Sequence, residues 1–198
     1  MNKTAIAIAL TLTGIIVAPT VIAATEASAT ATWKATAKKD TNSDLVVTPL
    51  GSLSFQYAEG NKRFNTIDGL FDITIQGHAG TAEDPITNFT LKAKKLSGTL
   101  NSVTGTSTLE VGVLWQGTPL TNTTYINLID TRNSINGGTL SPLASGYRIN
   151  NQRTSAQGSL AFTIDSAKNG STNVTDFSTL PDGMWNGDVN VEFVANWI

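Results

Sequence analysis

The chain of 198 residues contains no cysteine and only one histidine. The absence of cysteine excludes disulfides, which stabilise many small exported domains, and it also excludes a lipid-anchored lipoprotein. With one histidine and no thiol, a transition-metal site of the usual nitrogen and sulfur ligands is not expected. The stability of the fold must therefore come from apolar packing and from backbone pairing, with or without a partner.

Charge is scarce as well. Charged residues make up 14% of the chain, and the formal net charge is −2. Basic residues cluster only as the short pairs Lys38-Lys39, Lys62-Arg63 and Lys94-Lys95. Such pairs indicate solvated surface, and they lack the basic footprint that nucleic acids or anionic membranes require. Nucleic acid is therefore not expected as a partner.

Motifs of catalysis are missing too. His78 lies among Gly77, Ala79 and Gly80 and is expected to be a solvated turn residue. Neither a Gly-x-Ser-x-Gly elbow nor a phosphate-binding Gly-x-x-x-x-Gly-Lys loop occurs. The acidic residues are scattered over turns and polar strand faces, where they form no recognisable pair. We expect no enzyme and no cofactor.

The N-terminus carries the first positive signal. Lys3 precedes an uncharged, apolar stretch from Thr4 to Ala24, which ends in small residues. This pattern predicts a signal peptide over residues 1–23, cleaved after Ala23. A transmembrane anchor is the alternative, but no basic stop-transfer cluster follows the apolar stretch.

A strict alternation follows over residues 24–38, with Ser28, Thr30, Thr32, Lys34 and Thr36 on the polar face. The apolar face consists of Ala27, Ala29, Ala31, Trp33, Ala35 and Ala37. The pattern predicts an amphipathic strand. Alanine is a poor strand former, so its recurrence points to a shallow groove that admits small side chains and one large anchor. Two interpretations stay open: the strand pairs within its own sheet, which the pattern alone favours, or it is lent to a neighbouring molecule.

Residues 39–198 repeat this alternation and are expected to form a single β-sandwich domain of two antiparallel sheets. Glycine and asparagine turns separate the runs. The segment from Thr139 to Tyr147 is expected to be a surface loop. Trp115 is expected to be buried, and Trp185 to pack in spite of its glycine-rich turn. The predicted inward-facing strand positions are Leu53, Phe55, Tyr57, Phe71, Ile73, Ile75, Phe89, Leu91, Ala93, Leu109, Val111, Val113, Trp115, Leu160, Phe162, Ile164, Val189, Val191, Phe193, Ala195 and Trp197.

Four segments resemble a known family. They are WKATAKKDTNSDLVVTPLGSLSFQY from Trp33, GLFDITIQG from Gly69, TLSPLASGY from Thr139 and STLPDGMWNGDVNVEF from Ser178. They closely resemble the major pilins of the enterobacterial common pilus, or Mat fimbria, which are pilins of the alternate chaperone–usher class. The resemblance spans nearly the whole mature chain and is weakest between about Thr81 and Asn136.

The resemblance implies an incomplete immunoglobulin-like β-sandwich, completed by donor-strand exchange. A periplasmic chaperone fills the open groove first, and at an outer-membrane usher the N-terminal strand of the next subunit replaces it. The donor residues would be the apolar face of residues 24–38 defined above. The groove and chaperone edge would be the last strand, with Val189, Val191, Phe193, Ala195 and Trp197.

The expected function is therefore the major structural subunit of a head-to-tail pilus, exported through the periplasm to the cell surface, where it supports adhesion to host cells and biofilm formation. A tip adhesin is its expected partner. Two alternatives from other classes remain, a secreted monomeric carbohydrate-binding module and a tip adhesin of the same system. The latter is disfavoured because the chain has a donor-like strand and room for only one domain.

Overall fold

The computed structural model describes residues 39–40 and 42–198. The predicted signal peptide and the alternating strand of residues 24–38 lie outside the described residues. In the described part, the helical segments are short: the 3₁₀ turns Glu59–Asn61, Gly138–Leu140 and Phe177–Thr179, and the helix α1, Ser141–Gly146. The strands are β1 (Leu45–Leu50), β2 (Tyr57–Ala58), β3 (Arg63–Phe64), β4 (Ile67–Gln76), β5 (Phe89–Ser97), β6 (Thr99–Ser102), β7 (Ser107–Trp115), β8 (Thr118–Pro119), β9 (Ile126–Asp130), β10 (Arg153–Asn169), β11 (Thr172–Val174), β12 (Trp185–Asn186) and β13 (Asn190–Trp197).

Two antiparallel sheets make up the sandwich. The larger sheet has the order β1-β4-β10-β7-β6-β12, with β11 paired to β10 and β8 paired to β7. The smaller sheet has the order β13-β5-β9. The two inner faces meet where the rings of Phe71 on β4 and Phe193 on β13 lie 5.2 Å apart between centroids. The expected all-β sandwich is thereby confirmed.

The core consists of the alternate residues of the central strands, as their period of two requires. Ile73 and Ile75 of β4, Leu91 of β5 and Val111 of β7 are completely buried. Trp115 is 6% exposed, which confirms its predicted burial. The central strands therefore supply a complete apolar interior that depends on no disulfide.

One end of the sandwich is covered by the β2–β3 hairpin. The ring of Phe64 packs against those of Phe177 and Trp185, with centroids 5.9 and 6.1 Å away. The indole Nε1 of Trp185 donates to Ser107 Oγ over 3.0 Å. Trp185 is half-buried, so its predicted packing is confirmed.

The strand predicted over Leu53, Phe55 and Tyr57 is wrong for its first part. Strand β1 ends in a turn at Gly51, where φ is +90°, and residues 51–56 have no ladder partner among the described residues. Instead, Asn65 Oδ1 accepts from the backbone N–H of Gln56 over 2.7 Å. The backbone N–H of Asn65 in turn donates to the carbonyl of Gln56 over 3.0 Å, so one residue fixes the end of this segment. Leu53 and Phe55 still pack against the core.

The surface loop predicted from Thr139 to Tyr147 is also wrong. This segment is a 3₁₀ turn followed by α1, with Pro142 in the first turn of the helix, where a missing N–H costs little. Leu140 and Leu143 are completely buried, because residues three apart share one helix face. Tyr147 Oη donates to the carbonyl of Thr87 over 2.8 Å. The segment therefore belongs to the core.

Candidate functional site

The last strand forms one edge of the smaller sheet. It pairs with β5 and, among the described residues, with no second strand. The predicted strand began at Val189, but β13 begins at Asn190, and a register irregularity separates Asn190 from Val191. Val189 therefore precedes the strand, although it still packs against the core.

The backbone groups that β13 leaves at its edge follow from the ladder with β5. Ile198 and Asn88 exchange two bonds, N–H to carbonyl in each direction, over 2.9 and 2.7 Å. Because such mutual pairs recur every second residue in an antiparallel ladder, residues 192, 194 and 196 bond β5 in the same way. Phe193, Ala195 and Trp197 therefore present their N–H and carbonyl groups to the open edge.

The opposite edge belongs to β1 of the larger sheet. This strand pairs with β4 over its whole length, with Val47 opposite Ile73 and Leu45 opposite Ile75. In the described part of the chain, no strand pairs with its other edge. Directly opposite residues of an antiparallel pair share a face, so Leu45 and Val47 point inward like the two isoleucines.

Strands β1 and β13 contact each other, and we call the apolar surface along their two free edges the β1/β13 groove. It is lined by Leu45 and Val47 from β1 and by Val191, Phe193, Ala195 and Trp197 from β13. All six residues face the core but are only half-buried. By contrast, the central inward residues of the neighbouring strands are 0–4% exposed: Phe71, Ile73 and Ile75 of β4, and Phe89, Leu91 and Ala93 of β5. This row of half-covered apolar side chains, flanked by unpaired backbone, has the chemistry that an added strand would satisfy.

His78 closes one end of this groove. Its ring lies edge-on to the indole of Trp197, 5.2 Å between centroids, and its Nε2 lies 3.4 Å from Asp44 Oδ1. The predicted solvated turn residue is thus partly exposed, yet it contacts both edges of the groove. Trp197 Nε1 is buried and has no hydrogen-bond partner among the described residues.

The six predicted donor residues lie outside the described residues, so their placement in the groove stays a prediction. Of the five residues predicted for the groove edge, four lie on β13 and Val189 directly precedes it, while their role in binding a donor or a chaperone stays a prediction. Strand β1 adds a second edge that the sequence did not single out. The signal for β1 was the apolar run Leu45-Val46-Val47. Among the described residues, no helix is long and apolar enough to cross a bilayer.

Comparison with known proteins places this architecture in a family. The family model for Fimbrillin MatB matches residues 26–197. The chain belongs to the MatB fimbrillin family. The match covers residues 26–38 of the predicted donor segment as well as the edge strand β13.

Individual relatives agree with the family. The chain is 51% identical over 201 residues to the common pilus major fimbrillin subunit EcpA of Escherichia coli O139:H28 strain E24377A, covering 100% of this chain and 99% of the relative. The same identity and coverage are found with the EcpA subunit of E. coli strain K12. Among solved structures, the CooA pilin subunit of enterotoxigenic E. coli is similar with a TM-score of 0.48 and 16% identity, over 75% of this chain and 86% of that one.

Proposed function

We propose that this fimbrillin is the major, repeating subunit of a cell-surface pilus, and that it polymerises by placing residues 24–38 in the β1/β13 groove of a neighbouring subunit. The observation that carries the proposal is the groove itself, where half-buried apolar side chains lie beside strand edges that no described strand pairs with. Insertion of one more strand would bury that row and pair that backbone.

The alternating strand fits such a groove in length and in chemistry. Residues 25–37 would extend over about 40 Å, more than the eight residues of β13. Burial of five methyl groups and one indole contributes on the order of 5–8 kcal/mol, to which a backbone ladder adds. That is sufficient for a durable contact between subunits.

The short connection of residues 38–44 restricts how the strand could enter its own groove. A connection of that length joins antiparallel neighbours, whereas a parallel crossover takes a dozen or more residues. Self-insertion would therefore place residues 24–38 antiparallel to β1. A strand from a neighbour has no such restriction, and head-to-tail donation does not close, so it builds a filament.

The same groove would need protection before assembly. An unpaired apolar edge is a site of uncontrolled association. We infer that a periplasmic chaperone covers the β13 edge, that exchange occurs at an outer-membrane usher, and that a tip adhesin ends the filament. In this view the chain has a structural role at the cell surface, supporting adhesion and biofilm formation, and no catalytic one.

The proposal is tested in cells that carry the complete pilus assembly system. Trp33→Asp places a charge on the apolar face of the strand, and filaments should be lost while the subunit still reaches the periplasm. Thr32→Asp adds the same charge to the opposite face and serves as the matched control, with filaments retained. Normal filaments from the Trp33 variant would refute the donor role and favour a monomeric carbohydrate-binding module instead.

A further inference from the structure

We propose that the groove has one binding position for the single large side chain of the donor, and that Trp33 occupies it. This position, which we call the seat, lies over Ala195 and between Val47 and Leu45 of β1 and the β13 strand. This inference rests on the proposed function. It adds the register, which neither the family nor the edge strand alone specifies.

The position of the seat follows from contacts along the sandwich. Phe193 meets Phe71 near the middle of β4, and Trp197 meets His78 just beyond the end of β4. Ala195 lies between them on β13 and therefore stands at the level of Ile73 and Ile75. Their partners on β1 are Val47 and Leu45, so these two residues face Ala195 across the groove.

The side chains of β13 make this level the lowest point of the groove. Ala195 is the one small residue in a row whose other strand members are Val191, Phe193 and Trp197. Both aromatic neighbours are held by the core, because Phe193 contacts Phe71 and Trp197 lies 5.3 Å from the ring of Phe89. A large donor side chain therefore has room above Ala195, whereas Phe193 and Trp197 would obstruct it on either side.

The donor has the complementary profile. Trp33 is its one large apolar residue, and Ala31 and Ala35 flank it at the same period of two. With Trp33 over Ala195, the two flanking alanines lie against Phe193 and Trp197. Each of these three contacts then pairs one large side chain with one alanine. Any shift by two residues would place the indole against one of those two aromatics. The match holds for either strand direction, because an alanine stands two residues away from Trp33 on each side.

The pairing of Trp33 with Ala195 is tested by exchanging the large and the small side chain between the two positions, in the full chain and in cells that carry the assembly system. Trp33→Ala and Ala195→Trp should each reduce filament yield at least tenfold, the first by leaving the seat empty and the second by filling it. The double variant restores the pairing of one large with one small side chain, and its yield should exceed that of either single variant several-fold. A double variant no better than the singles would overturn the seat.

Val191→Trp is the matched control, since it enlarges another residue of the same row. Its defect should not be relieved by Trp33→Ala. Relief of the Val191 variant and not of the Ala195 variant would move the seat and contradict the assignment.

A second measurement does not depend on how these variants fold. Trp33 is replaced by the photoreactive aromatic residue p-benzoylphenylalanine, and the crosslinks of illuminated filaments are mapped by mass spectrometry. Links between subunits to Ala195, Val47 or Leu45 are expected. Links between subunits that fall elsewhere would overturn the seat while leaving donor exchange intact. Links within one subunit would instead contradict the proposed function.

Discussion

The two long sides of this sandwich are built from similar apolar residues but differ in how far these residues are buried. Beyond the groove, Leu91 and Leu128 are completely buried between the sheets, and α1 adds Leu143 to the same interior. At the groove, Val191 and Phe193 face the same core and are only half-buried. Apolar composition does not explain the difference, because both sides have it. What differs is whether a neighbouring strand is present to cover the row.

Proline substitutions test whether the backbone of the groove edge, apart from its apolar side chains, binds the donor. Ala195→Pro removes an N–H that points to the open edge and leaves the bonds to β5 in place, so residues 39–198 should fold and fail to be stabilised by the donor peptide. Val194→Pro removes a bond to β5 and should destabilise the domain itself. Thermal unfolding with and without the peptide distinguishes the two. Equal peptide binding by the Ala195 variant would mean that the donor does not pair with this edge.

On the closed side, Leu91→Ala should cost about 2–5 kcal/mol of unfolding free energy, because the side chain is completely buried and leaves a cavity. Leu91 lies directly opposite Ala195 on the neighbouring strand. Its loss should nevertheless be the same with and without donor peptide in denaturant titrations. A loss that appears only with the peptide would show that the closed side also depends on the donor.

On the open side, Val191→Ala should show the reverse behaviour. In the absence of the donor peptide the half-buried valine contributes little, and in its presence the same side chain becomes covered. We expect the stabilisation given by the peptide to fall by about 1 kcal/mol, measured as the difference between paired titrations. An unchanged increment would exclude Val191 from the contact.

The smallest effect concerns pH and the corner where β5 leads into β6. Lys95 Nζ bonds Glu110 Oε1 and the carbonyl of Val111, so it joins the two sheets there. Burial acts to raise the pKa of Glu110, but hydrogen bonds from Lys95 and Thr99 outweigh it and hold that pKa below its ordinary value of 4.5.

A lowered carboxyl pKa stabilises the fold above the unfolded value, and this contribution is lost as the pH falls through the folded value. Because Glu110 is 42% exposed, the contribution should stay below about 1 kcal/mol. Glu110→Gln should therefore lower stability at neutral pH and flatten its decline below about pH 4.5, as measured by urea titrations across that range. An unchanged pH profile would exclude the pair as a contributor.

The sequence predicted those strands whose inner and outer environments differ. Phe71, Ile73 and Ile75 alternate with polar residues, and all three are buried in β4. Strand β1 was not predicted because Leu45, Val46 and Val47 are consecutive apolar residues followed by Thr48 and Pro49. An edge strand is defined by the absence of a neighbouring strand on one side, and the periodicity of a sequence contains no information about that neighbour.

The candidate site shows the same limit. Alternation identified Val191, Phe193, Ala195 and Trp197 as one face of the last strand, and the structure places them together. That β1 lies beside them, and that His78 contacts Trp197, depends on residues more than a hundred positions apart, and the contact of His78 with Asp44 spans 34 positions. No local pattern encodes those contacts. The buried Leu140 and Leu143 were missed for a related reason, since a 3₁₀ turn and a six-residue helix are too short for a period to emerge.

The central claim is that the open side is completed by residues 24–38. Residues 39–198 form one compact unit, and their thermal unfolding can be followed with a synthetic peptide covering Thr25 to Lys38. At a hundredfold excess over its dissociation constant, the peptide should raise the melting temperature by about 5–10 °C, and a Trp33→Asp peptide should not. A domain that is already stable alone and that melts at the same temperature with either peptide would contradict donor-strand completion.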